Sequence, residues 1–163
     1  MEEIKRISRD LVAHGAIIDY YQDTMQIPNG HVARWDFIKH KGAAAVVPVD
    51  DQGRIIMVRQ YRNALERYTL EIPAGGLQTA EELTRDAAAR ELQEETGYYS
   101  DDLELLLSIY TTVAFCNEKI DIYLAKNLKP GRQHLDEDEF LTPTKMPLEE
   151  VCRMVLNLSL IHI

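Results

Sequence analysis

Alternating apolar and polar residues characterise the first forty positions of the chain. The stretches 15–21 and 32–38 alternate with a period of two, which is typical of half-buried strands. Between them, Pro28-Asn29-Gly30-His31 has the composition of a turn. The pattern therefore predicts an N-terminal hairpin or meander, and we assign residues 1–40 to this strand region.

The middle of the chain contains further strand patterns. Two apolar runs, 43–49 and 55–58, flank a polar loop that ends in Gly53, so we expect a hairpin there. Additional strands are predicted at 68–72, 103–113 and 119–126, and a second helix from about Leu148. Strands that outnumber helices without strict alternation predict an α+β fold, with a mixed sheet and helices packed on it.

The clearest helix pattern covers residues 80–95. Thr79 and Glu82 have the spacing of a capping box, and Gly97 supplies a stop signal. Glu91, Glu94 and Glu95 are spaced three and four residues apart. At about 100° per residue, they fall in a stripe roughly 100° wide on one helix face.

The basic residues of this helix do not balance the whole stripe. Arg90 lies one turn before Glu94, but Glu91 and Glu95 have only alanine, leucine and tyrosine one turn away. Two adjacent carboxylates above small alanines favour a hard cation such as Mg²⁺ or Mn²⁺. The alternative is a solvated acidic helix face.

The overall charge sets a condition on the substrate. The 163 residues include 27 acidic and 18 basic side chains, for a formal net charge of −9. This balance counts against nucleic acid as a partner, and against an anionic substrate unless a cation intervenes. The sequence contains no apolar run of membrane-spanning length, no signal-peptide pattern and no clustered cysteines, so we expect a soluble, cytoplasmic protein without membrane association.

The helix and the loop before it carry a family resemblance. The spacing of the Nudix box is matched by Gly76, Glu82, Arg90-Glu91, Glu94-Glu95 and Gly97. Tyr98 stands where an aliphatic residue is usual. One ambiguity concerns the box glycine, because Gly75 directly follows Pro-Ala but is one residue too far from Glu91. The segment resembles the Nudix hydrolase superfamily, so either Gly76 is the box glycine or the loop at 78–80 carries an insertion.

This resemblance implies a fold, a reaction and a set of site residues. The implied fold is an α/β/α sandwich with a mixed sheet, here over residues 41–157. The implied reaction is Mg²⁺-dependent hydrolysis of a nucleoside diphosphate linked to another group, with Mn²⁺ as a possible substitute. The expected metal ligands are Glu91, Glu95, Glu139 and Gly75. The expected catalytic carboxylates are Glu94, Glu95, Glu139 and Glu137. Structural roles in the box are expected for Gly76, Glu82, Arg90 and Gly97.

Segments outside the box narrow the resemblance to one branch of the superfamily. Residues 58–62, 70–75 and 117–120 are similar to the ADP-ribose pyrophosphatase branch. That similarity implies a homodimer built by the N-terminal strands and a nucleotide-sugar substrate. It also implies an adenine-stacking role for Trp35, a substrate contact for Arg62 and a site-lining role for Glu71. The simpler alternatives are that Trp35 packs in a strand and that Arg62 is a surface cation.

The acidic loop 136–139 matches a position where this branch keeps a metal-binding or base-supplying glutamate. Glu139 fits that position best, with Glu137 as the alternate and a solvated loop as the simpler interpretation.

The choice of substrate remains open. Thr112-Val113-Ala114 replaces the Ser-Pro-Gly type of sequence found in many ADP-ribose pyrophosphatases, so GDP-mannose and other nucleotide sugars are alternatives. Hydrolysis of a nucleoside triphosphate and a non-catalytic ligand-sensing role are the other hypotheses.

The last six residues form a separate hypothesis. Leu-Ser-Leu-Ile-His-Ile at 158–163 resembles the translation of a transposase adaptor used in sequencing libraries. It follows a helix that members of the resembled family continue and supplement with another helix. We therefore expect 158–163 to be a non-native tail; an ordinary apolar C-terminus is the alternative.

Overall fold

The alternating N-terminal residues form an antiparallel sheet, as predicted. Its strands are β1 (Lys5–His14), β2 (Asp19–Gln26) and β3 (Val32–Lys39), in the order β1-β2-β3. Arg9 on β1 donates hydrogen bonds of 2.7 and 2.6 Å to the two carboxylate oxygens of Asp23 on β2. The guanidinium of Arg9 also lies 3.6 Å from the ring centroid of Phe37 on β3. One arginine thus connects all three strands.

The computed structural model describes residues 3–135, 137, 139–157 and 160. These residues divide into two units. The first contains the chain up to Gly42 together with Tyr110–Lys119, and the second contains Ala43–Ile109 and the chain from Ile120 onward. The sequence pattern placed a boundary near residue 40 but did not indicate that Tyr110–Lys119 groups with the N-terminal strands.

The remaining elements form mixed sheets and two helices. The strands are β4 (Ala43–Pro48), β5 (Arg54–Arg62), β6 (Arg67–Glu71), β7 (Ala74–Gly76), β8 (Tyr98–Tyr99), β9 (Asp102–Tyr110), β10 (Lys119–Lys126), β11 (Lys129–Pro130) and β12 (Leu141–Pro147). The helices are α1 (Thr84–Thr96) and α2 (Leu148–Leu156), with a 3₁₀ turn at Asn63–Leu65. The sheet orders are β7-β4-β10-β9, β12-β5-β6 and β11-β8. This arrangement confirms the predicted α+β class.

Strands β4 and β10 form the centre of the second unit. They pair in parallel, and their side chains are mostly apolar and buried, as expected for strands covered on both faces; Asp121 of β10 is a buried charged exception. On one face, a core cluster joins them to the buried Ala87, Ala88 and Leu92 of α1. A second cluster covers the opposite face. Because alanines line its contact with the sheet, α1 can lie close to the strands.

The predicted hairpin of residues 43–58 is wrong. The loop does turn as expected, since the N–H of Gly53 donates to the carbonyl of Asp50 at 2.9 Å. The two runs nevertheless enter different sheets and share only the isolated bridge between Val49 and Ile55. Strand β4 pairs with the sequence-distant β10 and with β7 instead, and these pairings are not encoded in the local pattern.

The predicted capping box is also wrong, because α1 begins at Thr84 rather than near residue 80. Leu83 occupies the N-cap position, and no side chain caps the helix there. Glu82 instead accepts hydrogen bonds from the N–H of Gln78 at 2.5 Å and from Arg90 at 3.3 Å. The predicted C-terminal stop is correct, since Gly97 has a left-handed backbone with φ of 72°.

The C-terminal segment is described only in part. Leu160 is buried with Ile55, Met57 and Val151, and its N–H donates to the carbonyl of Met154 at 3.0 Å. The other five residues of the proposed 158–163 tail lie outside the described residues. Neither helix in the described part of the chain is long and apolar enough to cross a membrane.

The packing of α1 predicts a large cost for truncating Leu92. This side chain is fully buried against the sheet, so Leu92→Ala should lower the free energy of unfolding by about 2–5 kcal/mol. Urea unfolding monitored by circular dichroism measures the change. Leu83→Ala is the matched control, because Leu83 is 68% exposed and its truncation should change stability by less than about 0.5 kcal/mol. Equal effects of the two variants would contradict this account of the core.

Candidate active site

The three glutamates of α1 differ in burial. Glu91 and Glu95 are only 6% and 2% exposed, whereas Glu94 is half-buried. They share the helix with the core residues Ala88 and Leu92, so the stripe lies at the margin of the helix–sheet contact. The alternative of a solvated acidic helix face does not describe Glu91 and Glu95, because both carboxylates are buried.

Arg90 connects α1 to the loop before it. Its Nη1 donates to Glu91 Oε1 at 2.6 Å and to Glu94 Oε2 at 2.9 Å. Its Nε donates to Glu82 Oε1 at 3.3 Å, and its Nη2 to the carbonyl of Gly76 at 3.2 Å. Burial alone would lower the pKa of Arg90, but the charge of Glu91 and the hydrogen bonds to the three glutamates raise it above the usual value.

The expectation that Glu91 lacks a basic partner is therefore wrong. The residues one helical turn from Glu91 are not basic, but the long side chain of the adjacent Arg90 reaches its carboxylate. The prediction that Arg90 pairs with Glu94 agrees with the geometry. Arg90 thus holds both carboxylates while leaving Glu95 to other groups.

Gly75 lies directly against the Glu91 carboxylate. A Cβ at this position would stand 2.1 Å from Glu91 Oε1 and 2.3 Å from the carboxyl carbon, far inside contact distance. Gly75 belongs to β7 and pairs with Ala44 on β4. Both glycines that the sequence left as candidates touch the site, because Gly75 faces Glu91 and Gly76 supplies its carbonyl to Arg90.

Glu95 is the more deeply buried of the pair. The N–H of Ala74 donates a hydrogen bond to its carboxylate, but Oε2 has no partner among the described residues. Burial raises the pKa of Glu95 to about 8, helped by the charges of Glu91 and Glu139, while Ala74 and Arg62 act in the opposite direction. Burial also raises the pKa of Glu91 to about 7 against the opposing effect of Arg90.

These properties fit a hard divalent cation. Buried polar atoms in proteins nearly always have a partner, so the bare oxygen of Glu95 is an exception that a bound cation would explain. Carboxylate oxygens are the ligands that Mg²⁺ and Mn²⁺ prefer. Within the described ranges, no three His, Cys, Asp or Glu side chains stand in an arrangement ready to hold a metal ion. The fit to a cation therefore rests on the burial of Glu91 and Glu95 and on the oxygen of Glu95 that has no partner among the described residues.

Arg62 and Glu71 form a second charged pair in this unit. Arg62 Nε donates to Glu71 Oε1 at 2.9 Å, and Nη2 donates to Oε2 at 2.5 Å. Thr69 Oγ1 donates to the same Oε1 at 2.5 Å. The hydrogen bond to Glu71 raises the pKa of Arg62, and the charges of Glu95 and Glu139 add to this effect. The structure thus brings Arg62 within the electrostatic reach of the carboxylate site.

Glu139 and Glu137 are placed differently. The charge of Glu139 contributes to the raised pKa of Glu91 and of Glu95, so its carboxylate lies near the pair. Glu137 is exposed. Asp136 and Asp138, which complete the predicted acidic loop, lie outside the described residues. Of the two glutamates that the sequence left open, Glu139 is the one that the structure brings to the site.

A residue that the sequence did not indicate holds the segment leading to this loop. Gln133 Nε2 donates to the carbonyl of Glu95 at 2.6 Å, and the N–H of His134 donates to the carbonyl of Glu94 at 3.1 Å. Both bonds satisfy carbonyls in the last turn of α1, which have no partner within a helix. A single glutamine has no motif that would predict this contact, because it depends on the tertiary position of the segment.

Trp35 belongs to the first unit. It is 45% exposed on β3 and lines a cavity of about 690 Å³ within that unit. The other lining residues are Tyr20, Arg34, Asp36, Ile38, Ala114 and Phe115. Tyr20 donates a 2.7 Å hydrogen bond from its hydroxyl to Asp36. Trp35 is therefore not a buried core residue, since nearly half of its surface is exposed.

Comparisons with known proteins agree with this geometry. The NUDIX domain family matches residues 39–161. The chain is 40% identical to an "ADP-ribose pyrophosphatase" of Bacillus subtilis, over 94% of this chain and 83% of that protein. It is 37% identical to a "Methanol dehydrogenase activator" of Bacillus methanolicus, over the same shares of each chain.

A solved structure supports the fold. The chain superposes on the "Crystal structure of ADP compounds hydrolase" with a TM-score of 0.83, covering 96% of this chain and 84% of the other at 24% identity. This similarity confirms the predicted sandwich class. On the family match and the relatives' identity, the chain belongs to the Nudix hydrolase family.

Proposed function

We propose that this protein hydrolyses the diphosphate bond of ADP-ribose or a related nucleoside diphosphate sugar, giving a nucleoside monophosphate and a sugar phosphate. The observation that carries the proposal is the pair of buried carboxylates, Glu91 and Glu95, one lying against Gly75 and the other with an unpartnered oxygen. A second support is the 40% identity to a relative named as an ADP-ribose pyrophosphatase. GDP-mannose and other nucleotide sugars are the alternative substrates.

Mg²⁺ is the proposed cofactor, with Mn²⁺ as a substitute. Glu91, Glu95, Glu139 and the backbone of Gly75 are the proposed ligands, supported by the burial of the pair and the nearby charge of Glu139. When bound, a divalent cation neutralises the charge of the diphosphate, activates water and stabilises the departing phosphate. This also meets the condition set by the net charge of −9, since an acidic protein needs a cation to bind an anionic substrate.

The protein's own residues would bind the substrate and accept the proton that hydrolysis releases. In the hydrolysis, a water oxygen bonds to one phosphorus, the bridging P–O bond breaks, and the water's proton passes to a carboxylate. We assign that proton to one of the proposed catalytic glutamates, with Glu139 favoured because it is only half-buried beside the pair. The other candidates are Glu94, Glu95 and Glu137. Arg62, held by Glu71, would bind the anionic substrate through the guanidinium edge that Glu71 leaves open.

The first unit has two proposed roles. Trp35 would stack on the nucleobase, which its position in an aromatic-lined cavity supports. The unit would also build a homodimer, supported by the half-exposed apolar side chains of its strands, including Ile7, Leu11 and Val32. A cytoplasmic location is proposed because both cysteines, Cys116 and Cys152, are free.

The reaction products provide the direct test of the proposal. Incubation of the protein with ADP-ribose and Mg²⁺ should yield AMP and ribose 5-phosphate, and a chelator should stop the reaction. Chromatography of the products measures both effects, and a parallel series with GDP-mannose and other nucleotide sugars identifies the preferred substrate. Release of pyrophosphate from a nucleoside triphosphate would instead support a triphosphate-hydrolysing role. No turnover of any nucleotide sugar would show that the proposal is wrong.

Glu95→Gln tests the role of the buried pair. The amide keeps the shape of the side chain but cannot carry the negative charge, so kcat should fall by about 10²–10⁴-fold while the fold is retained. Circular dichroism melting checks the fold. Glu81→Gln is the matched control, because Glu81 is exposed on the loop before α1 and its substitution should leave kcat unchanged. If both variants turn over substrate like the wild type, Glu95 has no part in the reaction. A ligand-sensing role would instead be supported by a wild-type protein that binds a nucleotide sugar without turnover and by a Glu95→Gln variant that binds it equally well.

A further inference from the structure

Helix α1 is attached to the central sheet at two points on one row of paired residues. In this row, Asp121 of β10 pairs with Ala44 of β4, and Ala44 pairs with Gly75 of β7. At one end of the row, Gly75 lies against the carboxylate of Glu91. At the other end, Asp121 Oδ2 accepts a 2.8 Å hydrogen bond from the hydroxyl of Thr84, the first residue of α1.

The spacing along the helix matches the spacing across the sheet. From Thr84 to Glu91 the helix advances seven residues, which is about 10.5 Å at roughly 1.5 Å per residue. From Asp121 to Gly75 the row crosses two strand spacings, which is about 9.6 Å. A helix running along this row therefore reaches Gly75 with Glu91 when it reaches Asp121 with Thr84. The two contacts are therefore compatible with the same register of the helix on the sheet.

The Asp121 end is a buried polar cluster with directed hydrogen bonds. Asp121 is 7% exposed, and Ser108 on β9 donates to its Oδ1 at 2.5 Å. The hydroxyl of Thr84 also lies 2.8 Å from the hydroxyl of Tyr123, the next residue of β10 on the same face. These bonds fix the first turn of α1 to β10.

The apolar contact between these two anchors is less specific. It combines the small side chains of Ala87 and Ala88 with the larger Leu92 of the same helix. Burial of apolar surface is non-directional, so it stabilises the helix on the sheet without selecting which atoms meet. The hydrogen bonds of Thr84 are directional and therefore add a specific constraint at the start of the helix.

We propose that Asp121, acting through Thr84, is a positioning residue that sets the register of α1 on the sheet and so places Glu91 and Glu95 against Gly75 and Ala74. This inference rests on the proposed function, because the glutamates' role toward a cation is part of that proposal. Asp121 touches neither substrate nor cation in this account. Its effect passes through the helix.

The test compares two hydrogen bonds to the same carboxylate. Thr84→Val removes the bond that reaches the helix, whereas Ser108→Ala removes one that comes from β9 and leaves the helix link intact. Three quantities are measured on the full chain: the melting temperature, the Kd for Mn²⁺ without substrate by electron paramagnetic resonance, and kcat and KM for ADP-ribose. Thr84→Ser keeps the hydroxyl and serves as the rescue variant.

The expected results separate positioning from stability. Thr84→Val should raise the Kd for Mn²⁺ and lower kcat, each by about 10-fold or more, because small displacements of catalytic groups have large effects. Ser108→Ala should lower the melting temperature to a similar extent but leave Kd and kcat within about twofold of wild type, and Thr84→Ser should restore both. Thr84→Ala deletes the same hydroxyl and replaces Thr84→Val if the latter does not fold.

Two outcomes would overturn the inference, and they are distinguishable. Wild-type protein that binds no Mn²⁺ and hydrolyses no nucleotide sugar overturns the proposed function and this inference with it. Wild-type protein that binds Mn²⁺ and turns over substrate, with a folded Thr84 variant that matches it in Kd and kcat, overturns the inference alone. The same holds if Ser108→Ala impairs Mn²⁺ binding as much as Thr84→Val does, because Asp121 would then act only through stability.

Discussion

This site depends on one constraint: the carboxylates of Glu91 and Glu95 are buried beneath strand β7, which has no room for a side chain at Gly75. Gly75 brings the backbone of β7 against Glu91, and the N–H of Ala74 reaches Glu95. Burying ionised carboxylates is costly unless they are paired and hydrogen-bonded. Arg90 supplies a positive charge to Glu91 and also contacts Gly76, so the ion pair and the strand–helix approach stabilise the same geometry. Among the described residues one oxygen of Glu95 has no partner, and the proposed cation would bind there.

This arrangement also explains how an acidic chain can serve an anionic substrate. The net charge of −9 would repel a diphosphate at long range. The charges of Glu95 and Glu139 act on Arg62, but its guanidinium is already paired with Glu71. A divalent cation on the buried pair would supply the missing positive charge. The excess of acidic residues is therefore compatible with the proposed function.

The sequence predicted features that depend on residues close in sequence better than features that depend on distant ones. The glutamate stripe, the C-terminal stop at Gly97 and the alternating N-terminal strands depend on residues close in sequence, and all three are found in the structure. The start of α1 was wrong because Thr84 is bound by Asp121, thirty-seven residues away. The hairpin of β4 and β5 was wrong because β4 pairs with the distant β10. Three other features also depend on the three-dimensional arrangement: the ion pair of Arg90 with Glu91, the hydrogen bond from Gln133, and the grouping of Tyr110–Lys119 with the first unit. No local pattern indicates such contacts.

Binding of Mn²⁺ to the Gly75→Ala variant is the most direct measurement of the central claim. A methyl group at this position would occupy the place of the Glu91 carboxylate, so either the strand or the glutamate must move away. We expect that the variant remains folded by circular dichroism but loses Mn²⁺ binding and turnover, while the control Glu81→Gln, on the exposed loop before α1, keeps both. A Gly75→Ala protein that binds Mn²⁺ with the affinity of the wild type would contradict the claim that the close contact between β7 and Glu91 creates the cation site.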